Sequence, residues 1–143
     1  MPEQRSRSDM LEMTSSTQTG RFPITIIRVA GNVDTSNYQT FQEYLNKQVA
    51  DGARRVLLDF KRTGRITSAG LRAIHNLFHA LRDIHKDADD DELRKLMSAG
   101  AYKAPYLKAV YLSNEVAEVF RLAGFEIYIE IFDDEEAALN SFR

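Results

Sequence analysis

The sequence predicts a single α/β domain built on a mixed, largely parallel sheet of four to five strands with crossover helices. Short β-branched or apolar runs alternate with longer stretches whose apolar residues recur every three or four positions. That alternation implies parallel strands joined by right-handed crossovers. The chain, at 143 residues, is also long enough for one core of ordinary size and too short for two.

Residues 1–20 are rich in Ser, Thr, Gln and Arg, with too little apolar surface to offset the entropy of ordering them. They are expected to form a flexible N-terminal tail ahead of a domain over 21–143, and Arg5-Ser6-Arg7-Ser8 within them reads as a solvated stretch. From about Ile24 to Ala30 a compact β-branched run predicts a strand, and Gly31-Asn32 a turn. Asp34, Thr35 and Ser36 are candidate caps for a helix whose buried stripe is Tyr38, Phe41, Leu45 and Val49, with Gly52 ending it. Val56–Phe60 is short and apolar, as expected of a central strand buried on both faces.

After a basic turn at Lys61–Arg65, Thr67 or Ser68 caps a second helix with Leu71, Ile74, Phe78 and Leu81 on one face, widened by Leu77 and Ile84. A strand is expected at Ala109–Leu112. A helix capped by Ser113 or Asn114 should then bury Val116, Val119, Phe120 and Leu122 and stop at Gly124. Ile127–Phe132 predicts the last strand, and Asp133–Glu136 places negative charge on the first turn of a closing helix.

Composition excludes several function classes. With 19 basic and 21 acidic residues the net charge is −2, which gives no general field for holding a nucleic acid. No run of about 20 apolar residues is present to span a bilayer, and no secretory pattern opens the sequence, so a cytoplasmic protein without membrane contact is expected. The absence of cysteine removes disulfides, thiolate metal sites and cysteine nucleophiles.

His75 and His79 have the four-residue spacing that lets two imidazoles share zinc, but Asn76 stands where a catalytic Glu would follow and no third ligand is in view. Neither a metal site nor a cofactor is expected. Ser68 has glycine on only one side, which argues against the nucleophile elbow of a small serine hydrolase, and no phosphate-cradling glycine motif occurs. The chain is therefore expected not to be an enzyme.

Three stretches in order carry a resemblance. Val29-Ala30-Gly31-Asn32-Val33-Asp34 is similar to a Gly-Glu-Leu-Asp turn. Leu58-Asp59-Phe60 followed by Thr67-Ser68-Ala69-Gly70-Leu71 resembles an Asp-Ser-Ser-Gly-Leu loop. Ser113-Asn114-Glu115-Val116 through Leu122-Ala123-Gly124-Phe125 is similar to Ser-Pro-x-Val followed by Leu-x-x-x-Gly-Leu. Together, over 24–142, they resemble the STAS family, and within it the bacterial anti-sigma-factor antagonists. The resemblance implies a STAS-like fold and a partner switch in which Ser68 is phosphorylated by a serine kinase that is itself the anti-sigma factor, with a phosphatase resetting it. Thr67 stands where the family has Asp and is a competing acceptor, while Ala69 replaces the second hydroxyl.

The partner surface so implied comprises Asp34, Thr67, Ser68, Ala69, Gly70 and Arg72, on a monomer or weak homo-oligomer. Asp34 reads equally well as a plain helix cap. Asp59 is expected to bond loop amides, and Arg72 to lie on the exposed helix face one turn beyond Ser68. A scaffold subunit of a larger signalling assembly is the alternative function.

The segment from about 85 to 106 is an insertion relative to the family. Asp90 or Asp91 could cap a short helix carrying Leu93, Leu96 and Met97 and ended by Gly100. An added partner surface and a disordered segment with a transient helix are equally compatible with it. Asp87-Ala88-Asp89-Asp90-Asp91 lacks the glycine and glutamate of a calcium loop.

Overall fold

The computed structural model describes residues 10–86 and 89–142; the Arg5–Ser8 stretch and the first two residues of the Asp87–Asp91 run lie outside them. A five-stranded sheet has the order β1-β2-β3-β4-β5. Its strands are β1 (Glu12–Thr19), β2 (Pro23–Ala30), β3 (Val56–Arg62), β4 (Leu107–Val110) and β5 (Glu130–Phe132). β1 is antiparallel to β2, and every other pairing is parallel. The helices are α1 (Tyr38–Ala50), α2 (Ser68–His85), α3 (Asp90–Ser98), α4 (Asn114–Leu122) and α5 (Glu135–Ser141), with a single 3-10 turn at Phe125–Ile127.

Strand alternation distributes the core over two faces. Ile27 and Val29 of β2, with Val56, Leu58 and Phe60 of β3, join the large core beneath α1, α2 and α4. Ile24, Ile26, Leu57 and Val110 form a smaller cluster capped by Ala138 of α5 and by Phe142 just after it. A sheet covered on both sides needs apolar residues at consecutive positions, which is why β3 reads as a short apolar run, while β2, with Arg28 exposed, reads as a strand from its β-branched residues.

Four expectations are corrected. The tail was expected to reach Gly20, but Glu12–Thr19 pairs with β2 along its whole length. Almost all its side chains are exposed, so ladder hydrogen bonds rather than burial hold it, and no apolar alternation announces it. The strand expected at Ala109–Leu112 ends at Val110, because Tyr111 adopts a positive φ of 63°. The strand expected from Ile127 begins at Glu130, since Gly124 turns left-handed at φ 78° and the 3-10 turn then drives Phe125 and Tyr128 inward. Ile84 and Leu122, placed on buried stripes, are 43% and 71% exposed, each lying within the last two residues of its helix.

The insertion forms a helix packed on the core. Asp89, one position before the expected caps, accepts from the Glu92 amide, Leu93 is buried, and Gly100 at φ 68° closes the segment. Tyr102 and Tyr106 are buried as well, their hydroxyls 2.9 Å apart.

Candidate functional site

The loop between β3 and α2 is built from its anchor outward. Val33 and Ile66 form an isolated parallel bridge, in which the Val33 amide donates to Arg65 O (3.1 Å) and the Thr67 amide donates to Val33 O (2.9 Å). Asn32 reinforces it, its Oδ1 accepting from the Arg65 amide at 3.0 Å. The turn after β2 and the loop after β3 are therefore one unit, though 33 residues separate them in the chain.

Gly70 shows how closely that unit is packed. A Cβ there would sit 2.6 Å from Ile66 Cγ1 and 2.7 Å from Val33 Cγ1. Only glycine lets the first turn of α2 settle onto these two buried residues. The third motif stretch arrives from the side: Ser113 Oγ donates to Gly64 O (3.1 Å) while capping α4 through the Val116 amide, and Arg65 pairs with Glu115 (3.1 Å). All three sequence motifs thus meet at the carboxyl end of the sheet.

On this base Ser68 is the first residue of α2 and is exposed, Ala69 is half-buried, and Gly70 is buried. Thr67 holds the N-cap position in extended conformation, but its side chain makes no capping bond, and its Oγ1 is buried without a hydrogen-bond partner. Arg72 is exposed on α2, four residues and so one turn from Ser68 on the same side of the helix. Asp34 accepts from the Ser36 amide (2.9 Å) and hydroxyl (2.6 Å), and its own amide donates to Asn37 Oδ1 (2.8 Å). It shapes the turn before α1, whose N-cap is Asn37 rather than the expected Asp34, Thr35 or Ser36. The first turn of α2 contains no acidic residue, so the helix dipole there has no anion to satisfy it from within.

His75 and His79 are engaged with each other, and His75 also with Tyr128. Their Nε2 atoms lie 3.0 Å apart, and His75 Nδ1 lies 3.3 Å from the Tyr128 hydroxyl. Burial, and then the neighbouring His79, push the His75 pKa below the ordinary imidazole value, while burial pushes the Tyr128 phenol up to about 12. Among the described residues no three His, Asp or Glu side chains are grouped to hold a metal ion.

Asp59 is buried and accepts from the Lys61 amide (2.9 Å), as the sequence suggested. It also pairs with Arg28 (2.7 Å), its register partner on β2, and Arg28 reaches Glu135 of α5 at 2.8 Å. These bonds raise the Arg28 pKa, Glu135 contributing most. No motif signalled this network, because its members are distant in the chain and each is an ordinary charged residue alone. No helix among the described residues is long and apolar enough to cross a membrane.

Comparison with known proteins agrees with this architecture. The STAS domain family model matches residues 15–85. BtrV of Bordetella bronchiseptica, placed by its name among anti-sigma factor antagonists, is 29% identical over 113 residues, covering 79% of this chain and 81% of that protein. Among solved structures, an anti-sigma factor antagonist from Mycobacterium paratuberculosis superposes with a TM-score of 0.63 at 13% identity, covering 92% of this chain and 95% of that one. SpoIIAA superposes in its unphosphorylated form with a TM-score of 0.61 at 15% identity, over 89% of this chain and 94% of that one. The phosphorylated form of the Bacillus protein gives 0.57 at 14%, over 91% and 100%. The shared fold is the five-stranded, mostly parallel sheet with its crossover helices.

Proposed function

We infer that this chain, a STAS-domain protein of the anti-sigma factor antagonist kind, works as a phosphorylation-controlled partner switch. Unphosphorylated at Ser68, it binds an anti-sigma factor or kinase-like regulator and so releases a sigma factor; phosphorylated there, it lets that partner go. The observation that carries this reading is the exposure of Ser68 at the start of a helix braced from beneath by Val33, Ile66 and Gly70.

A phosphate adds about −1.5 to −2 charges and three acceptor oxygens. At the first residue of α2 that charge is compatible with the domain's own fold, since the helix dipole favours an anion there. A partner face packed on Ser68 would meet the same charge unpaired and desolvated, which is costly. The burial of the Thr67 hydroxyl and the exposure of Ser68 support Ser68 over Thr67 as the acceptor. Arg72, one turn on, and the half-buried Ala69 complete the face offered to the partner, with Asp34 at its edge. The related SpoIIAA has been solved both unphosphorylated and phosphorylated, which supports a two-state role for such a fold.

Intact-mass analysis of protein purified from its own host, with peptide mapping over 65–82, tests the site. Pull-down with wild type and Ser68→Asp tests the switch. A phosphate on Ser68 and a kinase-like partner lost in Ser68→Asp are expected. An unmodified Ser68 with identical partners for both proteins would remove the reading. Homo-oligomeric assembly as a scaffold is favoured by one feature, the outer edge of β1, which no strand pairs among the described residues. Native mass spectrometry of the isolated protein separates the two, a monomer favouring the switch.

A further inference from the structure

On the sheet face opposite α1 and α2, a crevice of about 440 Å³ opens at the carboxyl ends of β2 and β3, closed on one side by β1 and on another by α5. That volume lies within the range of small-molecule sites, and this end of the strands is where open α/β sheets gather ligands.

Its floor is rigid. Arg28, Asp59 and Glu135 tie β2, β3 and α5 together through bonds of 2.7 and 2.8 Å, so one guanidinium is shared by two carboxylates and the floor keeps one net negative charge. Its wall is Tyr111, a non-glycine residue held at φ 63°. The Tyr111 amide donates to Phe132 O (3.0 Å) and its phenol oxygen accepts from the Glu135 amide (3.1 Å). A bulky residue fixed in the left-handed region against its preference is a feature that clusters at ligand sites.

Two further cations face the crevice, Lys61 and Arg62 at the end of β3. Lys61 Nζ lies 5.2 Å from the Tyr111 ring centroid, and neither cation is in an ion pair with a described residue. Glu12 at the rim is engaged in a contact of its own. The crevice therefore combines a floor of one guanidinium and two carboxylates, an aromatic wall, and two cations without a carboxylate partner whose charge outweighs that of the floor. The switch reading uses none of them.

We propose that this crevice binds a small organic anion, whose carboxylate or phosphate ester is held by Lys61 and Arg62 while a flat apolar body lies along Tyr111. The two cations supply charge-assisted hydrogen bonds to the anion, and the ring supplies apolar area and orientation.

Amide-detected NMR titrations of the full chain with phenyl phosphate, benzoate and inorganic phosphate test this. Phenyl phosphate or benzoate should shift the amides of Arg28, Asp59, Lys61, Arg62 and Tyr111 saturably, and at least about tenfold more tightly than inorganic phosphate. Preference between the two organic probes identifies the anionic group. Lys61→Ala/Arg62→Ala, altering two exposed side chains, should weaken binding by about tenfold or more at an unchanged melting temperature. Tyr111→Gly, which suits the backbone torsion and removes the ring, should abolish the advantage of phenyl phosphate over phosphate. No saturable shift at the crevice with either organic probe, equal affinity for inorganic phosphate, or undiminished binding in the double variant would overturn the proposal.

Discussion

Gly70→Ala adds one methyl group to the base of the proposed switch. Its Cβ would fall 2.6 Å from Ile66 Cγ1 and 2.7 Å from Val33 Cγ1, against ordinary carbon contacts of about 3.5–4.0 Å. Neither neighbour can easily retreat. Both are almost fully buried, both are β-branched and stiff at χ1, and the Val33–Ile66 bridge fixes their backbones. Overpacking of this kind costs about 1–3 kcal/mol. Replacing a helical glycine with alanine returns at most about 1 kcal/mol of propensity. Two contacts this short against neighbours that cannot retreat place the cost in the upper part of that range, at about 2–3 kcal/mol, so the steric term wins with a net loss of about 1–2 kcal/mol, or a fall in melting temperature of roughly 3–6 °C for a chain of this size. Urea unfolding should show a lower midpoint at unchanged slope. Val33→Ala removes one of the two clashing groups, the Val33 Cγ1 methyl, so in that background the Gly70→Ala penalty should shrink by about 1 kcal/mol. A Gly70→Ala protein as stable as wild type, or an undiminished penalty beside Val33→Ala, would refute the argument that contact with Val33 and Ile66 dictates this glycine.

Ser68→Asp should stabilise the isolated domain by about 0.3–1 kcal/mol at low ionic strength, through the helix dipole. The gain should fade in high salt, as melting curves at two salt concentrations would show. Asn32→Ala removes the acceptor of the Arg65 amide and should cost about 1 kcal/mol in urea unfolding, whereas Asn32→Asp, which keeps an acceptor, should cost less. His75 titrates lower in the folded chain than its ordinary value of 6.5. Its neutral form therefore contributes stability that is fully present above that pH and is lost as pH falls through the folded pKa. The urea midpoint should accordingly drop on acidification below pH 6.5 more steeply for wild type than for His75→Gln.

Legibility in the sequence followed burial. β3 was visible because both its faces are covered at Val56–Phe60, β2 because its residues are β-branched, and α2 because Leu71, Ile74, Phe78 and Leu81 repeat at helical spacing against a continuous core. β1 was invisible because Thr14 to Thr19 bury nothing. The end of β4 was misplaced because the torsion of Tyr111, not the hydropathy of Leu112, terminates it. At the candidate site, the helix start at Ser68 and the cap at Ser113 could be read from local residue types. The clasp of Asn32 and Val33 onto Arg65 and Thr67 could not, because both partners are unremarkable until the sheet brings them together. The same holds for Arg28 and Glu135, 107 residues apart.

Thr67 is where the local rule and the structure disagree most usefully. A Thr at an N-cap normally accepts from an amide of the first turn, and its loss costs about 1 kcal/mol. Here the Thr67 side chain makes no such bond, and its hydroxyl is buried without a partner. A buried unsatisfied hydroxyl carries a desolvation penalty, and replacing it with a methyl group of the same shape relieves that penalty. Thr67→Val should therefore leave stability unchanged or raise it by about 1 kcal/mol, opposite in sign to an ordinary cap deletion. The backbone bond from the Thr67 amide to Val33 O survives the substitution. Ser68 should then keep its place, and phosphorylation by a purified cognate kinase should proceed as in wild type. A loss of about 1 kcal/mol in Thr67→Val would show that the hydroxyl caps α2 in solution. A loss of the phosphate with stability intact would instead make Thr67 the acceptor.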